Sequence, residues 1–301
     1  MIKLFRPPSC DKIFLMKISG KAITNLMKKE IKKEVKGIKN KLKLVVFLVG
    51  QSPEQLSFVK IKKQLARQLK IDFEFIHLKS VPNFERFMMK IKEKSIDQHT
   101  TGVIIQQPLP AQLSTNSIYN YIPLEKEIEG HRHKTPFYPP IGLAVLTIFK
   151  YLFYKPLSGR QLFIDPEKDR FLFKKIFHNR KVVLIGRGIT GGQPIGKTLT
   201  GFKINYINIH SKTPQPENYC READIIISAV GKKVIDSQQI KPGAILINVG
   251  LRRESGKLKG DFEEKEIRKI ASFYTSIIGG VGPIDVLYLY KNLVEAAKLQ
   301  K

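Results

Sequence analysis

Apolar positions along this chain follow two spacings, and the two alternate. In "NLMKKEIKKEVKGIKNKLK" the residues Leu26, Ile31, Val35 and Ile38 keep an approximate helical period while lysines fill the other faces. The run "LKLVVFLVG" follows, apolar without interruption, and reads as a buried strand. A helix is expected from about Pro53 to Leu69, then a strand over "IDFEFIHL", a helix near residues 83–94 and a strand at "TGVIIQQPLP". The Pro/Gly-rich "TPFYPPIG" leads into an apolar helix near residues 142–153, and the polar "KPLSGRQLFIDPEKDRF" reads as linker or insertion. The alternation then restarts with "KVVLIG" and runs through "KINYINIH", "ADIIISAVG" and "GAILINVG", each a short apolar strand closed by Gly or a polar residue. A last helix is expected near residues 284–298, after "GGVGP". Strands alternating with helices predict an α/β fold with parallel sheets, and 301 residues suggest two domains.

The strand "KVVLIG" opens the clearest chemical signal. Gly186, Gly188 and Gly191 spell G-x-G-x-x-G between a strand and a helical stretch, with Gly192 next. The first glycine permits the turn, the second lets backbone approach a pyrophosphate, and the third allows close helix–strand packing. This predicts a dinucleotide site. The next strand ends in His210-Ser211-Lys212-Thr213 without the carboxylate that would take a ribose 2′-hydroxyl. Ser211 can donate to a 2′-phosphate and Arg187 can pair with one, so NADP is favoured over NAD. The plainer alternative is that His210 and Ser211 only cap the strand.

Composition narrows the classes. The chain carries 53 Lys+Arg against 26 Asp+Glu, a net charge of +27. Such an excess suits nucleic acid, but no zinc-finger or KH spacing occurs and aromatics are not interleaved with the basic runs. The lysines are therefore read as a solvated surface that also draws anionic ligands. No apolar run reaches the roughly 18–20 residues of a membrane helix. Cys10 and Cys220 are too few for a disulfide framework, and no His/Cys/Asp cluster has metal-ligand spacing, so no metal is expected. A reducing cytoplasm is the default compartment. The first 15 residues read as an extension before Met16 rather than a signal peptide, with a mitochondrial-type presequence as the lesser reading.

With these residues set out, the chain resembles the bifunctional methylenetetrahydrofolate dehydrogenase/methenyltetrahydrofolate cyclohydrolase family from about Lys17 to Ala297. "VGQSPEQLSFVKIKK" is similar to its folate-site helix, where a Tyr-x-x-x-Lys pair carries chemistry. "GVIIQQPLP" is similar to its G-x-x-V-Q-L-P-L-P segment, and "KEIEGH" stands where the family has K-D-V-D-G. "HSKT", "ADIIISAVG", "IKPGAILINVG", "GKLKGD" and "GGVGP" match the second half in order and spacing. The resemblance implies two α/β domains with a cleft between them. A folate-binding catalytic domain would span 1–159 and a Rossmann-type NADP-binding domain 160–284, with 285–301 a helix returning to the first. It also implies tetrahydrofolate derivatives as substrates and a homodimer.

The resemblance implies Lys62 and Gln106 as the catalytic pair, and Phe58, Glu129, Gly279, Gly280 and Pro283 as substrate contacts. Gly186, Arg187, Gly188, Gly191, Gly192, His210 and Ser211 would hold the cofactor. Several positions depart from the family. Phe58 replaces its tyrosine, Glu129 its pterin-holding aspartate, and Asn248 the aspartate of its D-V-G. Gly188 replaces the serine of its G-R-S, Ser276 and Ile278 replace two prolines of its glycine loop, and residues 155–178 look longer than usual. Phe58, Ile61, Leu65 and Leu69 form an apparent apolar stripe on the helix, with Lys62 at its edge. Spacing alone would make Lys62 a solvent lysine and Glu129 a surface acid, and would leave Gln106 evenly poised between a self-satisfied strand-end amide and a ligand contact; the resemblance reverses the reading of Lys62 and implies the functional roles of the other two. The implied reaction is hydride removal from 5,10-methylenetetrahydrofolate, then hydrolysis of the methenyl product to the 10-formyl form. Three rivals stand beside it: a member keeping one activity, a degenerate basic nucleic-acid-binding or scaffold protein, and a different Rossmann-type dehydrogenase acting on a small acid.

Overall fold

A computed structural model describes residues 16–154 and 158–300. The reading of the first 15 residues lies outside them. In chain order the elements are β1 (Met16–Ile18), α1 (Gly20–Gly37), β2 (Lys43–Val49), α2 (Pro53–Leu69), β3 (Asp72–Leu78), α3 (Phe84–Ile96) and β4 (Gly102–Ile105). There follow α4 (Pro140–Tyr154), α5 (Gly159–Leu162), α6 (Asp169–Phe177), β5 (Val182–Ile185), α7 (Gly192–Gly201), β6 (Ile207–Ile209), α8 (Pro216–Glu222) and β7 (Ile225–Ser228). The chain closes with β8 (Ile245–Asn248), β9 (Arg252–Glu254), β10 (Lys257–Lys259), α9 (Glu264–Ile267), β11 (Phe273–Thr275) and α10 (Val281–Leu299). These form two compact units: Lys28–Pro140 with Val286–Lys301, and, of the described residues, 16–27 with Ile141–Asp285.

The first unit is built on a parallel sheet of order β3-β2-β4. Its central strand β2 is the unbroken run LVVFLV, buried from Leu44 to Val49, as expected for a parallel strand covered on both faces. Phe47 meets Phe87 of α3 edge to face, ring centroids 5.9 Å apart. α2 starts where Ser52 accepts from the Gln55 N–H and Pro53 takes the first turn. It stops at Lys70, which adopts the left-handed conformation (φ 59°). The C-terminal part of α10 belongs to this unit. Its Tyr290 hydroxyl donates to the Lys62 carbonyl at 2.6 Å, and its Asn292 amide donates to the carbonyls of Ile128 and Tyr138 at 2.8 and 3.1 Å.

The second unit carries six parallel strands in the order β1-β11-β8-β7-β5-β6. The chain leaves β5 toward β6 on one side and continues to β7 on the other. That reversal places the end of β5 at a topological switch point, where open α/β sheets bind ligands. β9 and β10 form a separate antiparallel hairpin, turned by Ser255 and Gly256, both at positive φ.

Two expectations are corrected here. The boundary expected at residue 159 falls inside the second unit, which also takes residues 16–27. The short β1 completes the sheet edge by pairing with β11, and α4 packs with α6. Nor is the polar segment after residue 155 a simple linker: from Gly159 it forms α5 and α6. Leu172, Phe173, Ile176 and Phe177 are buried at helical spacing, a pattern masked by the charged run 165–170. α4 is apolar nearly all round, and its buried Lys150 donates to Asp169 at 2.6 Å and to the Phe163 carbonyl at 3.0 Å. Among the described residues no helix is long and apolar enough to cross a membrane.

Candidate active site and dinucleotide loop

In the first unit the inward face of α2 differs from the expected stripe. Phe58 and Ile61 are 44% and 45% exposed, whereas Gln55, Val59, Lys62, Ala66 and Leu69 are buried. Lys62 therefore sits within the buried face, not at its edge, at 8% exposure. Burying an ammonium requires partners, and two are present. Its Nζ donates to Gln106 Oε1 at 3.0 Å and lies 3.6 Å from Glu129 Oε1. Lys62, Gln106 and Glu129, distant in sequence, thus converge. Phe58 stands one turn before Lys62 on the more exposed side of α2.

The strand end β4 supplies the fixed wall. The Gln106 N–H donates to Phe47 O, and its side-chain amide to Gln107 O at 3.1 Å. A cis peptide joins Gln107 to Pro108, whose carbonyl accepts from the Gln55 amide at 2.7 Å. Gln107 Nε2 donates to the Tyr119 hydroxyl at 2.7 Å, and Gln107 Oε1 accepts from Leu109 N–H at 3.0 Å. Tyr119 stacks on His131, centroids 4.3 Å apart, and His131 Nε2 lies 3.8 Å from Glu129 Oε2. Burial, and then the charge of Glu129, push the Tyr119 hydroxyl above the usual phenol range, so it stays protonated. The nearly buried Glu127 accepts from the backbone N–H groups of Glu129 and Arg132, both at 3.1 Å, which shapes the turn presenting Glu129. Gly130 completes that turn at φ 77°, where a Cβ would meet Pro139 N at 2.8 Å. Gln55, Gln107, Tyr119, Glu127 and His131 were absent from the expected site. Only the doubled "QQ" before "PLP" hinted at Gln107; the Tyr119–His131 pair has no local pattern.

In the second unit the glycine loop follows β5. Gly186 has φ 108°, which excludes most other residues. A Cβ on Gly192 would lie 2.1 Å from the Gly186 carbonyl oxygen, and one on Gly191 would meet Ala229 Cβ at 3.0 Å. Gly192 is thus the tighter of the two packing glycines. At Gly188 a Cβ would meet nothing within 4 Å. Among the described residues no neighbour requires a glycine there, and the open backbone ahead of α7 leaves room for a ligand to approach. The residues present fit a dinucleotide. Arg187 is exposed within the loop. β6 is shorter than expected and ends beside β5, with Gly186 N–H donating to Ile209 O at 2.8 Å. His210 closes the turn after it, its Nδ1 accepting from Lys212 N–H at 3.2 Å and its N–H donating to Thr213 Oγ1. The strand-capping alternative thus describes part of what His210 does. Ser211 is exposed, and residues 207–215 include no acid.

Gly279, Gly280 and the part-buried Pro283 also fall in the second unit, not with Lys62. A Cβ on Gly20 would lie 1.6 Å from the Gly280 carbonyl oxygen, so α1 and this loop approach backbone to backbone. A buried group missed in the sequence is Asp261. Its carboxylate accepts from the Ser228 hydroxyl at 2.5 Å and the N–H groups of Val230 and Gly231 at 2.9 and 2.8 Å. The Asn248 amide bridges Asp261 N and Gly250 O, so the loops after β7 and β8 are tied together.

Comparison with known proteins agrees with this geometry. Residues 18–129 match the catalytic domain of tetrahydrofolate dehydrogenase/cyclohydrolase, and residues 173–301 match its NAD(P)-binding domain. The "Bifunctional protein FolD" of Staphylococcus carnosus (strain TM300) is 30% identical over 290 residues, covering 94% of this chain and 97% of its own. The bifunctional methylenetetrahydrofolate dehydrogenase/cyclohydrolase structure from Campylobacter jejuni is 26% identical with a TM-score of 0.81, covering 95% of this chain and 99% of its own. The 5,10-methylenetetrahydrofolate dehydrogenase structure from the silkworm, Bombyx mori, is 28% identical with a TM-score of 0.79 over the same shares. The buried Lys62–Gln106–Glu129 cluster, the glycine loop at the switch point of a parallel sheet and these matches together place the chain in the tetrahydrofolate dehydrogenase/cyclohydrolase family.

Proposed function

We propose that this chain oxidises 5,10-methylenetetrahydrofolate to the 5,10-methenyl compound and hydrolyses that product to 10-formyltetrahydrofolate. The observation that carries the reading is the ammonium of Lys62, buried and held between an amide and a carboxylate. Gly186, Gly188, Gly191 and Gly192 would cradle the dinucleotide pyrophosphate, with Arg187 and Ser211 toward the ribose phosphate of NADP and His210 shaping the turn. Bound there, NADP supplies the hydride acceptor for the first step. The cation left on the substrate is shared by two nitrogens, so that step asks the protein mainly for alignment. Glu129 offers a forked acceptor to the amino-pyrimidine edge of the pterin. The Phe58 ring would pack beside the substrate, and Gly279, Gly280 and Pro283 are read as further substrate contacts.

The second step needs protons moved. Water adds to the methenyl carbon and loses one proton, leaving a hydroxyl; the carbon–nitrogen bond to one ring nitrogen then breaks as that nitrogen gains a proton, and the hydroxyl releases its own proton to solvent as the formyl carbonyl forms. Lys62 in its neutral form takes the proton from water and returns it as ammonium, while Gln106 orients its Nζ. One observation favours a second reading: Phe58 has no hydroxyl to help orient the water, which points to a member dominated by the dehydrogenase step. Purified protein mixed with methylenetetrahydrofolate and NADP is expected to show methenyl product rise and then decay. A rise without decay would leave the dehydrogenase alone, and no rise would overturn the function. We further read the protein as a cytoplasmic homodimer that does not bind nucleic acid, a mass that light scattering reports directly.

A further inference from the structure

We propose that His131 is a positioning residue of this site, the second anchor of the Glu129 carboxylate; this rests on Glu129 being the pterin acceptor. The two oxygens of Glu129 face different partners. Oε1 lies 3.6 Å from Lys62 Nζ and Oε2 lies 3.8 Å from His131 Nε2. Both flanking side chains and the carboxylate are largely shielded, at 10%, 18% and 18% side-chain exposure for Lys62, His131 and Glu129.

His131 cannot turn freely. Its ring stacks on Tyr119 at 4.3 Å with planes 19° apart, and the Tyr119 hydroxyl is held by Gln107. Gln107 adjoins Gln106, which holds Lys62. The two anchors of Glu129 are therefore braced from the same strand end.

Two physical reasons give the second anchor work to do. Glutamate carries one methylene more than aspartate, so its carboxylate has an extra torsion to be ordered before it can meet a planar ligand edge. In the proposed hydration Lys62 alternates between charged and neutral forms. When the amine is neutral its charge attraction for Glu129 is lost, and among the described residues His131 remains beside the other carboxylate oxygen. A carboxylate held on both oxygens stays aimed at the pterin through both half-reactions.

The test uses the full-length protein and four variants, with both activities and the NADP KM measured on each. His131→Phe keeps the stacked ring and removes the nitrogen. It should raise the folate KM roughly three- to tenfold, the range of a charge-assisted contact only partly shielded from water. Hydride-transfer kcat and the NADP KM should stay within about twofold, since alignment at the reacting carbon is unchanged once substrate is bound. His131→Gln, which keeps an N–H donor, should recover most of the loss. In a Glu129→Gln background, His131→Phe should add nothing, because coupled residues are not additive. If His131→Phe does not fold, His131→Leu takes its place in the same comparison. An unchanged folate KM in His131→Phe beside a raised one in Glu129→Gln would overturn the role of His131 alone. Equal losses in both backgrounds would make His131 merely structural. An unchanged folate KM in Glu129→Gln would sink the acceptor itself, and the anchor with it.

Discussion

Lys62 and Phe58 lie one helical turn apart yet meet different surroundings: Lys62 is buried against Gln106 and Glu129, while Phe58 is nearly half exposed. Lys62→Gln should cripple hydration of the methenyl compound, because a neutral amide cannot cycle a proton; general acid–base terms are worth roughly 100- to 10,000-fold. Hydride transfer should survive to the extent that positioning does. Full cyclohydrolase activity in the variant would disprove the assignment. Phe58→Tyr tests the neighbouring position. A hydroxyl there would help hydration more than hydride transfer, so the dehydrogenase-to-cyclohydrolase ratio should fall by about 1–2 kcal/mol in relative barrier, the net size of one hydrogen bond. Initial rates of both steps in one buffer decide it. An unchanged or raised ratio would mean that Gln106 and Glu129 already orient Lys62 sufficiently.

At the scale of elements, the loop joining β5 to α7 and the turn after β6 set the choice of cofactor. Arg187 is exposed and no acid occupies residues 207–215, an arrangement suited to a 2′-phosphate. Arg187→Ala should raise the KM for NADP and barely move that for NAD. Equal use of the two cofactors by the unmodified protein would refute the idea. The helix pair α4 and α6 makes a different kind of prediction. Lys150 and Asp169 are both buried and 2.6 Å apart. Asp169→Asn would leave an uncompensated buried ammonium and should cost about 3–5 kcal/mol of stability, read by urea unfolding. Replacing both partners by apolar residues should restore most of it. A loss below about 1 kcal/mol in the single variant would show that the Phe163 carbonyl alone satisfies Lys150.

Over the whole molecule, the hydrophobic pattern by itself determined a great deal. Apolar runs of four to seven residues closed by Gly or a polar residue suit strands of covered parallel sheets, so β2, β5, β7 and β8 were legible, whereas the longer apolar run of α4 is a helix. The G-x-G-x-x-G spacing marked the loop after β5, where φ above zero at Gly186 and close packing at Gly191 restrict what the chain can carry. Local signals were weaker where partners lie far away. β1 is three residues long and is a strand only because β11 pairs with it across more than 250 positions. α6 was hidden by surface charge until burial of Phe173 and Phe177 revealed its inner face. Spacing alone gave Lys62 no distinction among 53 basic residues, and the stripe Phe58–Ile61 looked the better candidate for burial. Tertiary structure decided that the mixed face with Gln55, Val59, Lys62, Ala66 and Leu69 goes inward, because the Pro108 carbonyl satisfies Gln55 and Gln106 and Glu129 arrive from other segments to satisfy Lys62. It likewise made a pair of Tyr119 and His131, whose contact has no period to betray it. A helix or strand is fixed by residues a few positions apart. A buried charge is fixed by the partners that desolvation demands, and those the chain supplies only once it has folded.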